Sequence, residues 1–441
     1  MVAERSEFRL GELVEIAVGG LWGSESPTEK ENAPVRVIRG VDAHKMSERE
    51  VVDLPVRWVR AKQLSTRTLK VGDVVLESSG ACGRSYVIRE RDIEKSPIPL
   101  SFSNFSRRLV PDPKVNPAYL GYRLKQAFES GEIASYVTGT AMPNLDVHSA
   151  LGGITISLPP LSEQREIAST LGALDDKIEL NRRMNATLEA MARALFQSWF
   201  VDFDPVHAKA EGRQPVGMDA ETAALFPDSF EDSALGPIPQ GWTVMTLGHL
   251  IGLLNGFAFK SQDWMECGVP VVKIGSVKPG YIDLDEGSFV SEKVAYEASR
   301  FALQVGDILI GMTGYVGEVG IMYDLGVSPL LNQRVGKFEF NRKSGWTREV
   351  CYPLLRHPRF KQFVVDRSVG SAQANVSSSA ILEFPFVHPA EQLVRAFDEV
   401  ITPLVRKLIA NYQEIDQCRR NRDTLLPKLL SGDLRIGDVA A

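Results

Sequence analysis

The chain has few cysteines and histidines, and it lacks the motifs or long apolar runs that a catalyst, a metalloprotein or a membrane protein would show. Only four of its 441 residues are cysteine (Cys82, Cys267, Cys351, Cys418), far apart and with no CxxC pair. That argues against a disulfide framework or a zinc site and fits a reducing, cytoplasmic setting. The six histidines do not cluster, so no metal centre is expected. No apolar run is long enough to cross a bilayer, and the start does not read as a signal peptide, so no membrane partner is expected. A G-x-x-x-x-G-K-[ST] loop is missing, which speaks against ATP binding by this chain. No Ser/His/Asp or Cys/His set can be argued from spacing.

A one-sided charge is missing too. The net charge is −6. Lysine plus arginine against aspartate plus glutamate runs 21 to 20 over residues 1–158, 7 to 14 over 159–235, 14 to 14 over 236–386 and 8 to 8 over 387–441. The acid excess lies in the second of these segments alone. The balanced segments could each carry a basic face, so net charge neither supports nor excludes a nucleic-acid partner.

Two fragments of catalytic motifs stay fragments. Asn116-Pro117-Ala118-Tyr119 resembles the NPPY signature of amino-methyltransferases, but no glycine-rich S-adenosylmethionine motif accompanies it; the plainer reading is a helix start. Pro111-Asp112-Pro113-Lys114 has half of a nuclease motif without the other half and reads as a turn.

What is present is a seam. From Pro159 to Val206 the apolar residues follow a 3–4 alternation: Leu171, Leu174, Ile178, Leu188, Ala192, Leu195 and Trp199, with Asn181 and Asn185 on the same line. This is coiled-coil spacing, narrower than the apolar face of a globular helix. Pro159 and Pro160 disfavour helix before the start, Ser162 is a good N-cap, and Glu163 and Glu166 suit the positive end of the helix dipole. A helix from Ser162 to Phe200 would be roughly 58 Å long at about 1.5 Å per residue. Glu391 to Leu430 repeats the pattern with Phe397, Ile401, Leu404, Leu408, Ile415, Cys418, Leu425 and Leu429, interrupted by Asn411 and Arg422. Asn181, Asn185 and Asn411 are either buried, where polar seam residues cost stability and fix register, or exposed if the heptad frame slips; burial is the favoured reading. The two helices are expected to pack antiparallel.

The segments before the helices also repeat, about 230 residues apart. FRLGELVEIAVGG matches TLGHLIGLLNGF, APVRVIRGV matches VPVVKIGSV, and LKVGDVVLESSGACGRSYVI matches LQVGDILIGMTGYVGEVGIM. GTAMPNLDVHSALGGITISLPPLSEQ matches GSAQANVSSSAILEFPFVHPAEQ. In the first copy Val35, Val37 and Val41 alternate as in a strand. The glycine turns SSGACGRS and GMTGYVGE could approach a phosphate through backbone N–H groups or merely close a hairpin. Residues 205–241, rich in proline and acid, read as a loop-rich crossing. The chain is thus a duplicated α/β (α+β) body with a long helix after each copy, related by a pseudo-two-fold axis. A rigid spacer between two heads suits a bipartite linear target such as DNA.

These residues carry a family resemblance. LPPLSEQREIASTLGALDDKIELNRRMNATLEAMARALFQSWFVDFDPV resembles the central conserved region of specificity (S, HsdS) subunits of type I restriction-modification systems. NGFAFKSQDWMECGVPVVKIGSV is similar to the opening of a target-recognition domain in that family. The second copy departs from the pattern where His388-Pro389-Ala390 stands in place of Pro159-Pro160-Leu161. The resemblance implies target-recognition domains at 1–158 and 242–386, conserved helices at 159–204 and 387–432, a connector at 205–241 and a tail at 433–441. It implies a subunit without chemistry of its own: each domain reads half of a split site in double-stranded DNA, and the helices dock two modification subunits and, through them, restriction subunits. S-adenosylmethionine, ATP and Mg²⁺ would sit on those partners and none on this chain.

Candidate DNA contacts are Arg57, Arg60, Lys62, Arg67 and Lys70, which lie near Trp58, then Arg107 and Arg108, and in the second copy Lys260 with Ser261, Asn332-Gln333-Arg334, and Arg342 with Lys343. Arginine and lysine position phosphates or read guanine, and asparagine and glutamine read adenine; each cluster could equally be a solvated basic surface. Trp199, Phe200 and Phe203 are either core at the helix end or a partner-docking patch. Two rival readings are a two-headed scaffold that bridges proteins, and a self-contained methyltransferase or nuclease, which lacks its motifs.

Overall fold

Both seams form helices where their spacing places them. In this computed structural model the first long helix runs Leu161–Phe200 and the second Glu391–Ser431. The structure describes residues 5–16, 19–47, 52–139, 143–284, 287–340, 345–369 and 374–436. The chain forms two compact units, Met1–Glu179 with Gln417–Ala441, and Leu180–Asp416. Each unit therefore holds one sheet-rich body and half of each long helix.

In the first unit, Leu10, Leu13, Val74, Leu76, Leu109, Tyr119, Leu120 and Leu124 form one core with Ile167, Leu171, Leu426 and Leu429 of the helices. The sheet pairs Val14–Ile16 with Ser106–Pro111, that strand with Val74–Glu77, and that with Ser85–Val87, all antiparallel. Beside it Ala33–Ile38 pairs parallel with Leu100–Phe102 and antiparallel with Val56–Val59. Ser6–Arg9 pairs with Thr155–Leu158 just before the helix. Gln164 anchors the helix start: its Nε2 donates to the Pro159 carbonyl at 2.9 Å and its Oε1 accepts from the Asn116 N–H at 2.8 Å. The two helix segments run antiparallel, and buried Arg422 donates to Asp175 at 2.8 Å while Tyr122 caps the same carboxylate at 2.6 Å.

The second unit repeats that topology. Ile251–Asn255, Val335–Phe340, Ile308–Gly311 and Val319–Ile321 pair in the same antiparallel order. Val269–Val272 pairs parallel with Leu330–Leu331, and Thr243–Thr246 pairs with Pro385–His388 before the second helix. The helix segments are again antiparallel: Asn181 donates to Glu414 at 2.8 Å, and Asn411 to Asn185 at 2.8 Å. Asn181, Asn185 and Asn411 are all buried. Gly280, at φ +91°, closes onto this pair, because a Cβ there would lie 2.5 Å from Glu189 Oε1 and 2.9 Å from the Tyr412 hydroxyl.

Three local expectations change. Val41 is exposed and belongs to a helix, Gly40–Ser47, since the strand ends at Ile38. The connector is not a loose crossing: it contains helices Asp204–Ala210 and Ala220–Ala224 and a hairpin of Phe230–Ser233 with Gly236–Pro239. Val206, Phe226 and Ile238 give it enough apolar surface to join the core. In the seams, Phe196, Val405, Leu426 and Leu430 are buried, while Leu174, Leu188, Leu195, Leu404 and Leu425 are half-buried. The bodies packed on the helices widen the apolar stripe beyond a two-helix seam.

Candidate nucleic-acid interface

The glycine hairpin turn is built identically in both copies. Gly80 and Gly83 take φ of +89° and +96°, and Gly314 and Gly317 take +72° and +79°, a left-handed backbone that glycine adopts without a Cβ penalty. The Gly83 N–H donates to the Glu77 carbonyl at 2.8 Å and the Gly317 N–H to the Gly311 carbonyl at 2.9 Å. The Gly80 N–H reaches the Pro143 carbonyl at 3.1 Å and the Gly314 N–H the Ala374 carbonyl at 3.0 Å. These glycine donors are used within the protein, so they close and dock the hairpin.

The same frame brings three loops to one edge of each body. Ser78 N–H bonds the Phe105 carbonyl at 2.8 Å where Met312 N–H bonds the Arg334 carbonyl at 3.1 Å. Leu145 N–H bonds the Ser78 carbonyl at 2.8 Å where Val376 N–H bonds the Met312 carbonyl at 3.0 Å. Side chains close the joint: Ser79 Oγ donates to Asn144 Oδ1 at 2.5 Å, and Thr313 to Asn375. In the second unit this edge forms a mainly polar groove of about 440 Å³ lined by Asn255, Thr313, Gln333, Asn375 and Ser377–Ser379, with Met312 and Val376 as its apolar members. Among the described residues no carboxylate lines it, and Arg334 stands exposed beside Gln333. Such a groove offers amide and hydroxyl groups at neutral charge, the chemistry of base edges.

The remaining candidates fall into distinct settings. Arg60, Lys62 and Lys70 are exposed. Arg57 lies 4.6 Å over the Trp22 ring and 3.3 Å from Glu25. Arg67 donates to the Gly19 carbonyl at 2.9 Å, and Arg107 reaches the Asn104 carbonyl at 3.4 Å. Arg108 points inward to Asp73 at 2.7 Å, and the second copy repeats that pair as Lys337 with Asp307 at 3.6 Å. Asn332 is buried, its Oδ1 accepting from the Arg334 N–H at 3.2 Å, so it shapes the loop that presents Gln333. Lys260 and Ser261 are exposed, around a short turn in which Asp263 accepts the Lys260 N–H at 2.7 Å. Arg342 and Lys343 lie outside the described residues. Trp199 and Phe200 are buried against Phe397, at 5.4 and 4.8 Å between ring centroids, which puts them in the core and off the surface. Phe203, held at φ +54° by packing on Trp242 and Phe230, lines an apolar cavity of about 740 Å³ with Phe363 and Phe386. Asn255 and Asn375 had no signal in the sequence, since only pairing across the sheet edge brings them to Gln333.

The profile of the type I restriction modification DNA specificity domain matches this chain twice, over residues 4–190 and 239–410. The chain belongs to that family. The specificity subunit is 24% identical over 416 residues to the type I restriction enzyme HindI specificity subunit of Haemophilus influenzae, covering 83% of this chain and 88% of that one. It is 25% identical to the MjaIX specificity subunit of Methanocaldococcus jannaschii, over 95% and 89% of the two chains. Among solved structures, the S subunit of the type I restriction-modification system from M. genitalium superposes with a TM-score of 0.55 at 18% identity, covering 97% of this chain and 96% of that one. The family and the two-fold repeated fold expected from the sequence are thus those found, and the specificity subunit is a DNA sequence-specificity protein of the type I class.

Proposed function

We propose that each sheet-rich body reads one half of a bipartite site in double-stranded DNA, and that the paired helices set the gap between the halves. What carries the reading is the duplication: one strand order, one glycine hairpin and one loop frame occur twice in a single chain of this family. A split target calls for two readers of the same construction, each free to differ at its base-facing side chains.

In this reading the chain is not an enzyme. It supplies recognition in the cytoplasm, while modification subunits docked on the helical regions bring S-adenosylmethionine and methylate the site. Restriction subunits joined through them bring ATP and Mg²⁺. Two modification subunits would match the two copies of the body-and-helix repeat.

The test is a methylation map. The chain is expressed with the modification subunit encoded beside it, and host DNA is sequenced for modified adenines. The expected result is one split motif, two short half-sites with a fixed gap. An unmodified genome, with both proteins soluble and associated, would favour the bridging scaffold. Modification by this chain alone would make it an enzyme.

A further inference from the structure

The two bodies share their backbone frame at the three-loop edge, and they differ there in the side chains that face outward. The equivalence is set by hydrogen bonds: the Phe105 carbonyl serves Ser78 as the Arg334 carbonyl serves Met312, and the Ser103 carbonyl accepts Ser106 N–H at 3.0 Å as the Asn332 carbonyl accepts Val335 N–H at 2.9 Å. Asn104 therefore occupies the place of Gln333, and Phe105 the place of Arg334. All four are exposed, Phe105 to 51%. The residues that build the joint keep their chemistry, with Ser79 and Asn144 answering to Thr313 and Asn375.

A shared frame with divergent outward residues is what two readers of different half-sites require. Glutamine and asparagine present a paired donor and acceptor that match adenine N7 and N6, the guanidinium of arginine matches guanine O6 and N7, and a phenylalanine face meets the thymine methyl group. The amide oxygens of Asn255 and Asn375 accept from Ser378 and Thr313, and both residues line the groove beside Gln333. From this we infer that base choice is set by Gln333 and Arg334 in the second body and by Asn104 and Phe105 in the first. The exposed Arg60, Lys62, Lys70 and Lys260 then position the phosphate backbone. Arg334 gives the second half-site a required guanine, and Phe105 gives the first a required thymine. This rests on the bipartite reading above.

The experiment is the methylation map, run on the full complex with Gln333→Ala, Arg334→Lys and an Asn104→Ala/Phe105→Ala double variant. Arg334→Lys keeps the charge and loses the two-pronged geometry, so it separates base reading from simple attraction. It should leave the motif intact except at one guanine of one half-site, where preference drops about ten-fold or more. Gln333→Ala should loosen an adenine in that same half, and the double variant should loosen the other half alone. If all variants keep the wild-type motif at wild-type occupancy, or if changes in both bodies blur the same half, the inference is wrong while the bipartite reading stands. If the wild-type complex yields no split motif, the reading itself fails and the inference with it. Co-purification with the modification subunit checks folding, and Arg334→Lys, on an exposed side chain, covers the case in which an alanine variant does not assemble.

Discussion

His357 is held by two neighbours that leave no room for a second proton. The Arg359 backbone N–H donates to Nδ1 at 3.2 Å, so Nε2 carries the hydrogen and donates to Gln197 Oε1 at 2.6 Å. Burial, with Arg359 and Arg193 nearby, lowers its pKa below the ordinary 6.5. The unfolded chain therefore takes up this proton more readily than the folded one. The stability contribution is intact above about pH 6.5 and is lost as pH falls through the lowered folded value. His357→Gln removes the titrating group. The gap in melting temperature between wild type and this variant should therefore shrink as the pH is taken from 7.5 to 5.5; a gap independent of pH would mean that the imidazole is not kept neutral. Residue roles of this kind lie beyond sequence reading. Gln197 sits 160 positions from His357, and nothing in the local pattern of either residue announces the other.

At the level of elements, the helix pair was the most legible part of the chain. Proline, N-cap and acidic first-turn signals put the first helix start within a residue of the observed Leu161, and the 3–4 alternation marked both helices, because these are local properties that packing only has to respect. The polar seam residues were legible as well: Asn185 and Asn411 share a buried hydrogen bond at 2.8 Å, and Asn185 also reaches the Leu408 carbonyl at 3.4 Å. Asn185→Ala leaves Asn411 buried without its acceptor and should cost about 1–3 kcal/mol in denaturant unfolding. Replacing both asparagines by leucine should recover part of that loss, since neither amide is then buried without the other, and should loosen the register the pair now specifies. An Asn185→Ala variant as stable as wild type would mean that the pair is not buried in solution. What spacing could not show is how the bodies use the helices. Glu189, on the outer side of the seam, accepts from Tyr352 at 2.7 Å and from Arg356 at 3.3 Å, fastening the second body to its helix.

For the whole molecule, an overall charge of −6 is no obstacle to holding DNA. The exposed Arg60, Lys62 and Lys70 in the first body and Lys260 and Arg334 in the second are local sources of attraction. Binding of the assembled complex to its site should weaken steeply with salt. If six or more phosphates are neutralised, affinity should fall about a thousand-fold between 50 and 200 mM salt, as measured by titration of labelled duplex. Affinity that barely changed over that range would point to the protein-bridging alternative.

The amino-acid sequence by itself determined the duplication, the two long helices with their buried asparagines, the glycine hairpins and the family. Each of these is written in periodicity, turn chemistry or repeated motif, all of which act over a few neighbouring residues. The tertiary structure alone decided which polar side chains remain for a ligand. Arg108 and Asn332 looked like surface readers in the chain, yet strand pairing turns the first onto Asp73 and the loop it builds encloses the second. Trp199 and Phe200 went into the core for the same reason, meeting Phe397 from the other helix. Conversely Asn104, Asn255 and Asn375 carried no local signal, and they reach the loop edges only because strand register carries distant loops to one end of the sheet. Burial and convergence are properties of contacts between residues far apart in sequence, so they exist only once the sheet has formed.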